Sequence, residues 1–296
     1  MTKVLVIGRT GQVGHELMRA RWPDGWSVTG TDRGEMDLAE PDTIRHALAQ
    51  RAPDVIVNAA AYTAVDRAET DRDRAFTVNA DALAIIGGDA AARNVPVLHI
   101  STDYVFDGSG TRPWRETDPT GPLGVYGASK LAGEHALLAA QPRSMILRTS
   151  WVYGVHGNNF VKTMLRLGGE RDEVSVVDDQ FGAPTAATDI AETLVVMAFQ
   201  ARLPPNTAIS SDVWGVFHYS GAGETTWHGF AEHVFRHLET RKGRRPVCRP
   251  IPTSAYPTPA RRPANSRLDC SRIARTFSVT PRNWREALDR VLTQLI

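Results

Sequence analysis

The first half of the chain alternates between short apolar runs and longer stretches in which apolar residues recur at helical spacing. The runs are rich in β-branched residues and are bounded by glycine or polar residues, which is typical of buried strands. They predict strands at 3–7, 26–31, 54–57, 95–100 and 144–149. The intervening stretches predict helices at 11–21, 41–51, 66–93 (with an interruption) and 126–140.

Strands that alternate with helices in this way indicate βαβ units, a parallel sheet and right-handed crossovers. The pattern therefore predicts an α/β fold with a Rossmann-like, doubly wound parallel sheet. After Trp151 the rhythm changes to helical pieces separated by proline-rich loops such as "IPTSAYPTPARRP". We expect residues 1–150 to form one domain and 151–296 a smaller α/β domain, with segments near 174–200 returning to the first. The run 174–177 is expected to add a strand to the main sheet.

Composition narrows the class of protein. The 296 residues are 42% hydrophobic, enough for a sizeable core, and 34 basic residues nearly balance 33 acidic ones. Such a balance argues against a nucleic-acid partner, and the one basic stretch, "RKGRRPVCR", is typical of a solvated loop. Two isolated cysteines, a polar N-terminus and the lack of an 18-residue apolar run predict a cytoplasmic protein that does not enter a membrane.

A glycine pattern directly follows the first predicted strand. Gly8, Gly11 and Gly14 form GxxGxxG between that strand and a predicted helix. Small residues there permit a tight turn, let backbone N–H groups approach a pyrophosphate, and bring helix and strand close together. Three glycines alone are weak evidence, but the strand before and the helix after them favour a dinucleotide site.

Polar and small residues at the ends of the next strands extend this interpretation. Asp32 is placed to accept hydrogen bonds from an adenosine ribose, which favours NAD, whereas the adjacent Arg33 favours the 2′-phosphate of NADP. The preference therefore stays open. The third strand runs into "NAAAYTAVD", whose small residues leave room for a cofactor. Asn79 lies within a helical pattern and either bonds backbone near the site or is a surface amide.

Tyr126 and Lys130 are four residues apart, which places them on one face of a predicted helix. A nearby ammonium is expected to lower the tyrosine pKa from its ordinary value of about 10. Tyr126 is then suited to act as a general acid toward a developing alkoxide. A YxxxK pair is common by chance, but its position after four βαβ strands and a glycine turn makes it informative.

A long irregular loop separates this pair from Ser101 and Thr102, at the end of the fourth predicted strand. Open α/β sheets bind ligands at the carboxyl ends of their strands. A hydroxyl there can hydrogen-bond the substrate oxygen beside Tyr126. We therefore expect the loop to surround the substrate, since long loops in compact domains are often functional.

Longer motifs carry a resemblance to a known family. The GxxGxxG turn, the YxxxK pair and the strand-end hydroxyl resemble the extended short-chain dehydrogenase/reductases. More narrowly, "STDYVFDG", "YGASKLAGE", "RTSWVYG", "NNFVKTML", "DDQFGAPT" and "TPARRPANSRLD" resemble the dTDP-4-dehydrorhamnose reductases over the whole chain. The resemblance implies an NAD(P)-binding domain at 1–150, a nucleotide-sugar domain at 151–296, and reduction of dTDP-4-dehydro-L-rhamnose to dTDP-L-rhamnose by NADPH or NADH.

The resemblance also implies roles for individual residues. Tyr126 would be the proton donor, Lys130 would orient the nicotinamide ribose, and Thr102 would hydrogen-bond the reacting oxygen. The implied cofactor contacts are Gly8, Gly11, Gln12, Val13, Gly14, Asp32, Asp37, Leu38, Ala61, Tyr62, Thr63, Tyr126 and Lys130. The implied substrate contacts are Thr102, Asp103, Tyr104, Trp151, Asn159, Arg262 and Ser266.

Some members of this family bind Mg²⁺ through glutamates at a dimer contact. Glu16 matches one such position, but Thr188 and Gln294 stand near the others, and they are poor ligands for a hard cation. The sequence argues against this metal site and the dimer built on it. Whether the chain is a monomer or another homodimer is left open.

Two other functions share parts of this pattern. A non-catalytic regulatory subunit on the same fold is disfavoured because Thr102, Tyr126 and Lys130 are all present. A nucleotide-sugar dehydratase or epimerase is the other alternative. Dehydratases resemble this chain but typically carry glutamate where Tyr104 stands, because elimination needs an additional acid and base. An epimerase would retain its cofactor through many turnovers, whereas a reductase must release it.

Overall fold

The computed structural model describes residues 1–203 and 213–296. Its strands are β1 Thr2–Ile7, β2 Trp26–Thr31, β3 Val55–Asn58, β4 Val97–Thr102, β5 Ser144–Thr149, β6 Val152–Tyr153, β7 Glu173–Val177, β8 Phe181–Gly182, β9 Thr185–Ala186, β10 Gly215–His218, β11 Thr225–Thr226 and β12 Val247–Ile251. Its helices are α1 Gln12–Arg19, α2 Pro41–Arg51, α3 Val65–Ala68, α4 Arg72–Phe76, α5 Ala82–Ala92, α6 Val125–Ala140, α7 Phe160–Glu170, α8 Ala187–Ala201, α9 Trp227–Lys242, α10 Ser271–Phe277 and α11 Trp284–Leu295.

Six strands form the main sheet in the order β10-β5-β4-β3-β1-β2, and each pairs in parallel with its neighbours. From β1 the chain adds β2 on one side and then β3, β4 and β5 on the other. The crossovers therefore reverse direction between β1 and β3. Open α/β sheets bind ligands at such a reversal, at the carboxyl ends of the strands.

Successive side chains of β1 point to opposite faces of the sheet, and because they are apolar on both faces, helices cover both. Val4 and Val6 pack with α1, α8 and α10 on one face, and Leu5 and Ile7 pack with α2, α5 and α6 on the other. All four side chains are buried. Full burial of an aliphatic side chain contributes roughly 1.5–3 kcal/mol, so both helix layers are held by the same few strands.

A separate apolar cluster holds much of the chain after β5. It joins α7, α9 and α11 to β7, with Tyr153, Phe230 and Trp284 fully buried at its centre. The same part of the chain also returns to the main sheet, because α8 and α10 cover one face and β10 extends the edge beyond β5. The division at residue 150 stays a prediction.

The predicted elements agree closely with the structure in the first half of the chain. The strand predicted at 95–100 instead spans Val97–Thr102, because Pro96 has no N–H to donate to the ladder. The helical stretch 66–93 divides into α3, α4, a π-helical turn at Thr77–Asp81, and α5. None of the helices in the described ranges is long and apolar enough to cross a membrane.

One predicted strand was assigned to the wrong sheet. Residues 174–177 lie in β7, which pairs in parallel with β12 in a sheet of its own and does not join the main sheet. Val174 and Val176 face the separate apolar cluster, whereas Ser175 is exposed. This alternation fits a sheet covered on one face, and β10 takes the sixth place in the main sheet.

Candidate active site

A cavity of about 720 Å³ opens at the carboxyl ends of β1, β3, β4 and β5, the edge where the strand order reverses. Its volume is typical of a small-molecule site. The residues predicted from the sequence that line it are Gly8, Gly11, Gln12, Val13, Asp32, Asp37, Leu38, Ala61, Tyr62, Thr63, Thr102, Asp103, Tyr104, Tyr126, Lys130 and Trp151. The other four, Gly14, Asn159, Arg262 and Ser266, do not line it but contact residues around it.

The glycine turn is packed so closely at Gly8 and Gly14 that a side chain at either position would collide with neighbouring atoms. Gly8 has φ +86°, and a Cβ there would lie 2.8 Å from the Cβ of Ala60. A Cβ on Gly14 would lie 2.0 Å from the Gly8 carbonyl oxygen. A Cβ on Gly11, in contrast, would meet only that oxygen, at 3.4 Å. The turn and the first residues of α1 thus form a concave backbone surface, whose N–H groups suit an anionic group such as a pyrophosphate.

Substituting Gly14 by alanine should damage this turn. The added Cβ must push the Gly8 carbonyl aside, so we expect a loss of roughly 1–3 kcal/mol in the free energy of unfolding and a weaker affinity for a dinucleotide. Isothermal titration and chemical denaturation measure the two effects. Gly88→Ala is the matched control. Gly88 is exposed in α5, and a Cβ there meets nothing within 4 Å, so this variant should gain up to about 1 kcal/mol. Equal behaviour of the two variants would contradict the role given to Gly14.

An ion-pair network lies beside the Asp32 end of the cavity. Arg9 reaches Asp32 at 2.6 Å and Glu35 at 3.0 Å, while Arg33 turns to Asp37 at 3.1 Å. The hydrogen bond from Arg9 lowers the pKa of Asp32 against a smaller opposing effect of desolvation. Sequence reasoning missed Arg9, although its position inside the glycine turn was a signal.

Asn79 holds two elements of the site together. It lies, buried, in the π-helical turn, where its side-chain oxygen accepts from the Tyr62 N–H at 2.8 Å. Its amide nitrogen donates to the Tyr62 carbonyl at 3.1 Å and to Ser129 on α6 at 3.0 Å. Of the two alternatives that the sequence left open, an amide bonded to backbone near the site is the one found, and π turns are frequent at functional sites.

Tyr126 is the second residue of α6 and faces the cavity one turn before Lys130. Its ring packs edge-on against Tyr104, with the centroids 5.5 Å apart. Burial raises the pKa of Tyr126 above its ordinary value, and a hydrogen bond with Thr102 offsets this only partly. The sequence predicted a lowered pKa for Tyr126, whereas the structure raises it. Desolvation of the phenolate outweighs the hydrogen bond with Thr102, which lowers the pKa.

Lys130 is almost fully buried, and its amine is held from two directions. Its Nζ lies 2.8 Å from His99 Nε2 and donates to the Ile100 carbonyl oxygen, also at 2.8 Å. Burial lowers the pKa of Lys130 to about 7, although the charge of Glu134 acts in the opposite direction. Sequence reasoning did not identify His99, because a single polar residue within a predicted strand carries no signal of its own.

Thr102 and Asp103 end β4 beside Tyr126. The Thr102 hydroxyl donates to Asp103 Oδ1 at 3.1 Å and accepts from the Tyr104 N–H at 3.2 Å. Burial raises the pKa of the Asp103 carboxyl to about 6, against hydrogen bonds from Ser266 and Thr102 that lower it. Ser266, predicted to bind substrate, thus acts on the carboxyl of Asp103, and its contact with substrate stays a prediction.

Trp151 follows β5 with a left-handed backbone, φ +48°, and its ring stacks on Trp227 of α9 with the centroids 3.8 Å apart. A Cβ on Gly182 would lie 2.5 Å from the Trp151 ring. A left-handed tryptophan is strained and persists only where its surroundings fix it. Trp227 and Gly182, neither of them recognised from the sequence, supply that support, and Trp151 lines the cavity.

The two remaining predicted residues connect the site to its surroundings. Arg262 donates to the Tyr104 hydroxyl at 3.2 Å and pairs with Asp66 at 2.6 Å. Asn159 caps α7 and donates to the Gln12 side-chain oxygen at 3.0 Å. Neither faces the cavity directly, so their predicted contact with substrate stays a prediction. Glu16, discussed above for Mg²⁺, approaches His156 at 3.8 Å.

Comparison with known proteins places this geometry in context. The family model described as the RmlD substrate binding domain matches residues 1–296. The chain is 46% identical over 294 residues to the dTDP-4-dehydrorhamnose reductase of Sinorhizobium fredii (strain NBRC 101917 / NGR234), covering 99% of this chain and 98% of that protein.

Solved structures show the same likeness. A crystal structure of a dTDP-4-dehydrorhamnose reductase from Clostridium acetobutylicum superimposes with a TM-score of 0.91 at 34% identity, covering 99% of both chains. The dTDP-4-dehydrorhamnose reductase of Bacillus anthracis, solved in complex with NADP, superimposes with a TM-score of 0.90 at 31% identity and covers 99% of this chain and 100% of that one.

Proposed function

The chain belongs to the RmlD substrate binding domain family, among the dTDP-4-dehydrorhamnose reductases, and is an NAD(P)H-dependent oxidoreductase; on that premise we propose its substrate and the roles of its residues. It reduces the C4 keto group of dTDP-4-dehydro-L-rhamnose to give dTDP-L-rhamnose. The observation that carries this proposal is a single cavity lined at one end by the glycine turn and at the other by Thr102, Tyr126 and Lys130.

The residues of the cavity fit a nicotinamide dinucleotide. The backbone surface made by Gly8, Gly11 and Gly14 would hold the pyrophosphate, since a Cβ at Gly8 or Gly14 would collide with neighbouring atoms. Asp32 stands at the adenosine end, and Lys130 at the other. When bound, the reduced nicotinamide supplies the hydride that the keto carbon accepts. The NADP bound in the structure of the Bacillus anthracis relative supports NADPH, and Asp32 supports NADH.

Tyr126 supplies the proton that the reduced oxygen needs. Its pKa is raised by burial, so the phenol is fully protonated at neutral pH and available as a general acid. The Thr102 hydroxyl, which donates to Asp103 Oδ1 in this structure, would turn to donate to the phenolate that remains after transfer, in keeping with its lowering effect on the Tyr126 pKa. The lysine amine, one turn along α6, is positioned by His99 and the Ile100 carbonyl, facing the same cavity.

The sugar nucleotide enters from the side of Trp151 and Tyr104. The indole of Trp151, held by stacking on Trp227, would give a flat apolar surface for a deoxysugar, and Arg262 donates to the Tyr104 hydroxyl. The guanidinium is paired with Asp66 at 2.6 Å, and that carboxylate would compete with a diphosphate for its N–H groups. Tyr104 stands where an elimination reaction would need a carboxyl group, which favours reduction over dehydration.

The fate of the cofactor's hydride distinguishes these reactions. Incubation with reduced cofactor deuterated at nicotinamide C4, on the face that is transferred, should place one deuterium at C4 of the sugar, with one cofactor oxidised for each sugar reduced. An epimerase would oxidise no net cofactor and would retain it through purification. Turnover of the sugar without net cofactor oxidation would therefore reject the proposal.

Asp32→Ala should weaken the binding of NADH more than that of NADPH. The carboxylate would bond the ribose hydroxyls of NADH, whereas its removal also frees Arg9, now 2.6 Å away, to face a 2′-phosphate. Dissociation constants for both cofactors, from fluorescence titration, measure the effect. Asp42→Ala, which removes an exposed carboxylate from α2, is the control. Equal weakening of both cofactors would identify Asp32 as a structural aspartate that only holds the turn.

A further inference from the structure

Behind the cavity, a buried chain of three polar side chains crosses the central strands of the sheet. Asn58 ends β3, His99 lies on β4 and Lys130 lies on α6, and each is at most 1% exposed. Asn58 Nδ2 is 3.1 Å from His99 Nδ1, and His99 Nε2 is 2.8 Å from Lys130 Nζ. The chain therefore links the backbone next to the glycine turn with the amine beside Tyr126.

The direction of each hydrogen bond in this chain follows from its first member. The Ala60 N–H donates to Asn58 Oδ1 at 3.0 Å, which fixes the amide so that its NH₂ group faces His99. His99 Nδ1 must then accept, and a neutral imidazole carries its one proton on Nε2. That proton points at Lys130 Nζ, which needs a lone pair to accept it. An ammonium has no lone pair, whereas an amine accepts from His99 and still donates to the Ile100 carbonyl.

We propose that His99 is a positioning residue that stabilises the neutral amine of Lys130, and that protonation of Lys130 is coupled to a change of His99 tautomer and a turn of the Asn58 amide. In the protonated state, Nζ donates to Nε2, the imidazole proton lies on Nδ1, and Asn58 Oδ1 accepts it. One proton is gained overall, because the imidazole carries one proton in both states. The Ala60 N–H, next to the glycine turn, then loses its acceptor.

The electrostatic surroundings agree with this arrangement. Burial lowers the pKa of Lys130 to about 7, and burial together with the charge of Lys130 lowers the pKa of His99 well below its ordinary value. An imidazole that stays neutral can act only by exchanging tautomers. The charge that acts on this amine is that of Glu134 on α6, which itself pairs with Arg148 on β5. Tyr126 on α6 and Asp103 after β4 face the same cavity as Lys130, and the charge of Asp103 acts on Tyr126.

The inference deepens the proposed function by giving the lysine of that site a second protonation state, but its test needs neither sugar nor turnover. The chain has only four lysines, Lys3, Lys130, Lys162 and Lys242, so ¹³Cε-lysine NMR yields a spectrum in which Lys130→Arg identifies one signal. ¹⁵N-histidine NMR distinguishes the two neutral imidazole tautomers. His218 is an internal reference: it is buried, and its Nδ1 faces the Trp114 carbonyl at 3.0 Å, which requires the Nδ1–H tautomer.

We expect the Lys130 signal to titrate near pH 7 and His99 to change from the Nε2–H to the Nδ1–H tautomer with the same midpoint as the pH falls, while His218 stays unchanged. Asn58→Asp should hold His99 in the Nδ1–H tautomer throughout and raise the Lys130 midpoint by about one unit or more. A Lys130 midpoint near the ordinary lysine value of about 10.4 would overturn the proposal. A midpoint near 7 with a fixed His99 tautomer would overturn the coupling. Either result leaves the reductase assay unaffected, so the two proposals fail separately.

Discussion

Tyr126→Phe should lower turnover by ~10²–10⁴-fold while leaving the dissociation constant for the cofactor nearly unchanged. The substitution removes the phenolic proton that the reduced oxygen takes up, and keeps the ring that packs edge-on against Tyr104. Steady-state kinetics should show kcat and kcat/KM falling together, which is the signature of an interaction made only in the transition state.

Tyr153→Phe is the matched control for this variant. It removes a hydroxyl from another buried tyrosine, whose oxygen lies 3.4 Å from the Trp284 carbonyl in the cluster around Phe230. Because Tyr153 does not line the cavity, its loss should leave turnover near the wild-type value. If Tyr126→Phe retained wild-type turnover, the proton would have to come from another group, and the role proposed for Tyr126 would be wrong.

Arg148→Met should destabilise the fold by about 3–5 kcal/mol, the largest change in stability that we expect from a single substitution outside the cavity lining. Arg148 on β5 makes a two-pronged pair with Glu134 on α6, at 2.6 and 2.9 Å, and both side chains are buried. Methionine is also unbranched and apolar, but it leaves the buried Glu134 carboxylate without the hydrogen-bonded cation that Arg148 supplies. Denaturant unfolding followed by circular dichroism measures the loss.

The control for Arg148→Met is the same arginine-to-methionine substitution in an ion pair at the protein surface. Arg166 and Glu170 form an exposed pair four residues apart on α7, at 2.7 Å. Pairs of this kind contribute about 0.3–0.5 kcal/mol, so Arg166→Met should barely move the unfolding midpoint. A similar loss from both variants would show that the buried pair contributes no more than an exposed one.

Much of the first half of the chain could be predicted from the sequence because local patterns decide its strands and helices. The strands at 26–31 and 144–149 and the helix at 41–51 have the predicted boundaries, since apolar periodicity and Pro41 mark them unambiguously. The glycine turn could be recognised because its strand and helix context is local. The partners of these elements are not local, so β7 was assigned to the wrong sheet and β10 was missed.

In the candidate site, too, features set by local sequence could be predicted, whereas contacts between distant elements could not. Tyr126 and Lys130 could be paired from helical spacing, and the structure brings both to the cavity. The direction of their pKa shifts could not be predicted, because it depends on burial by elements far away in the chain. His99 and Asn58 come from two different strands, and only the register of the sheet aligns their side chains. Trp227 contacts Trp151 because both pack against the separate apolar cluster, and no local sequence pattern indicates that contact.

The most direct test of the central claim is the oxidation of reduced cofactor by the purified protein with dTDP-4-dehydro-L-rhamnose, with NADPH and NADH assayed in parallel. The account predicts oxidation that requires the sugar, that yields dTDP-L-rhamnose in equal amount, and that nearly disappears in Tyr126→Phe. A folded protein that binds either cofactor yet oxidises neither in the presence of this sugar would contradict it.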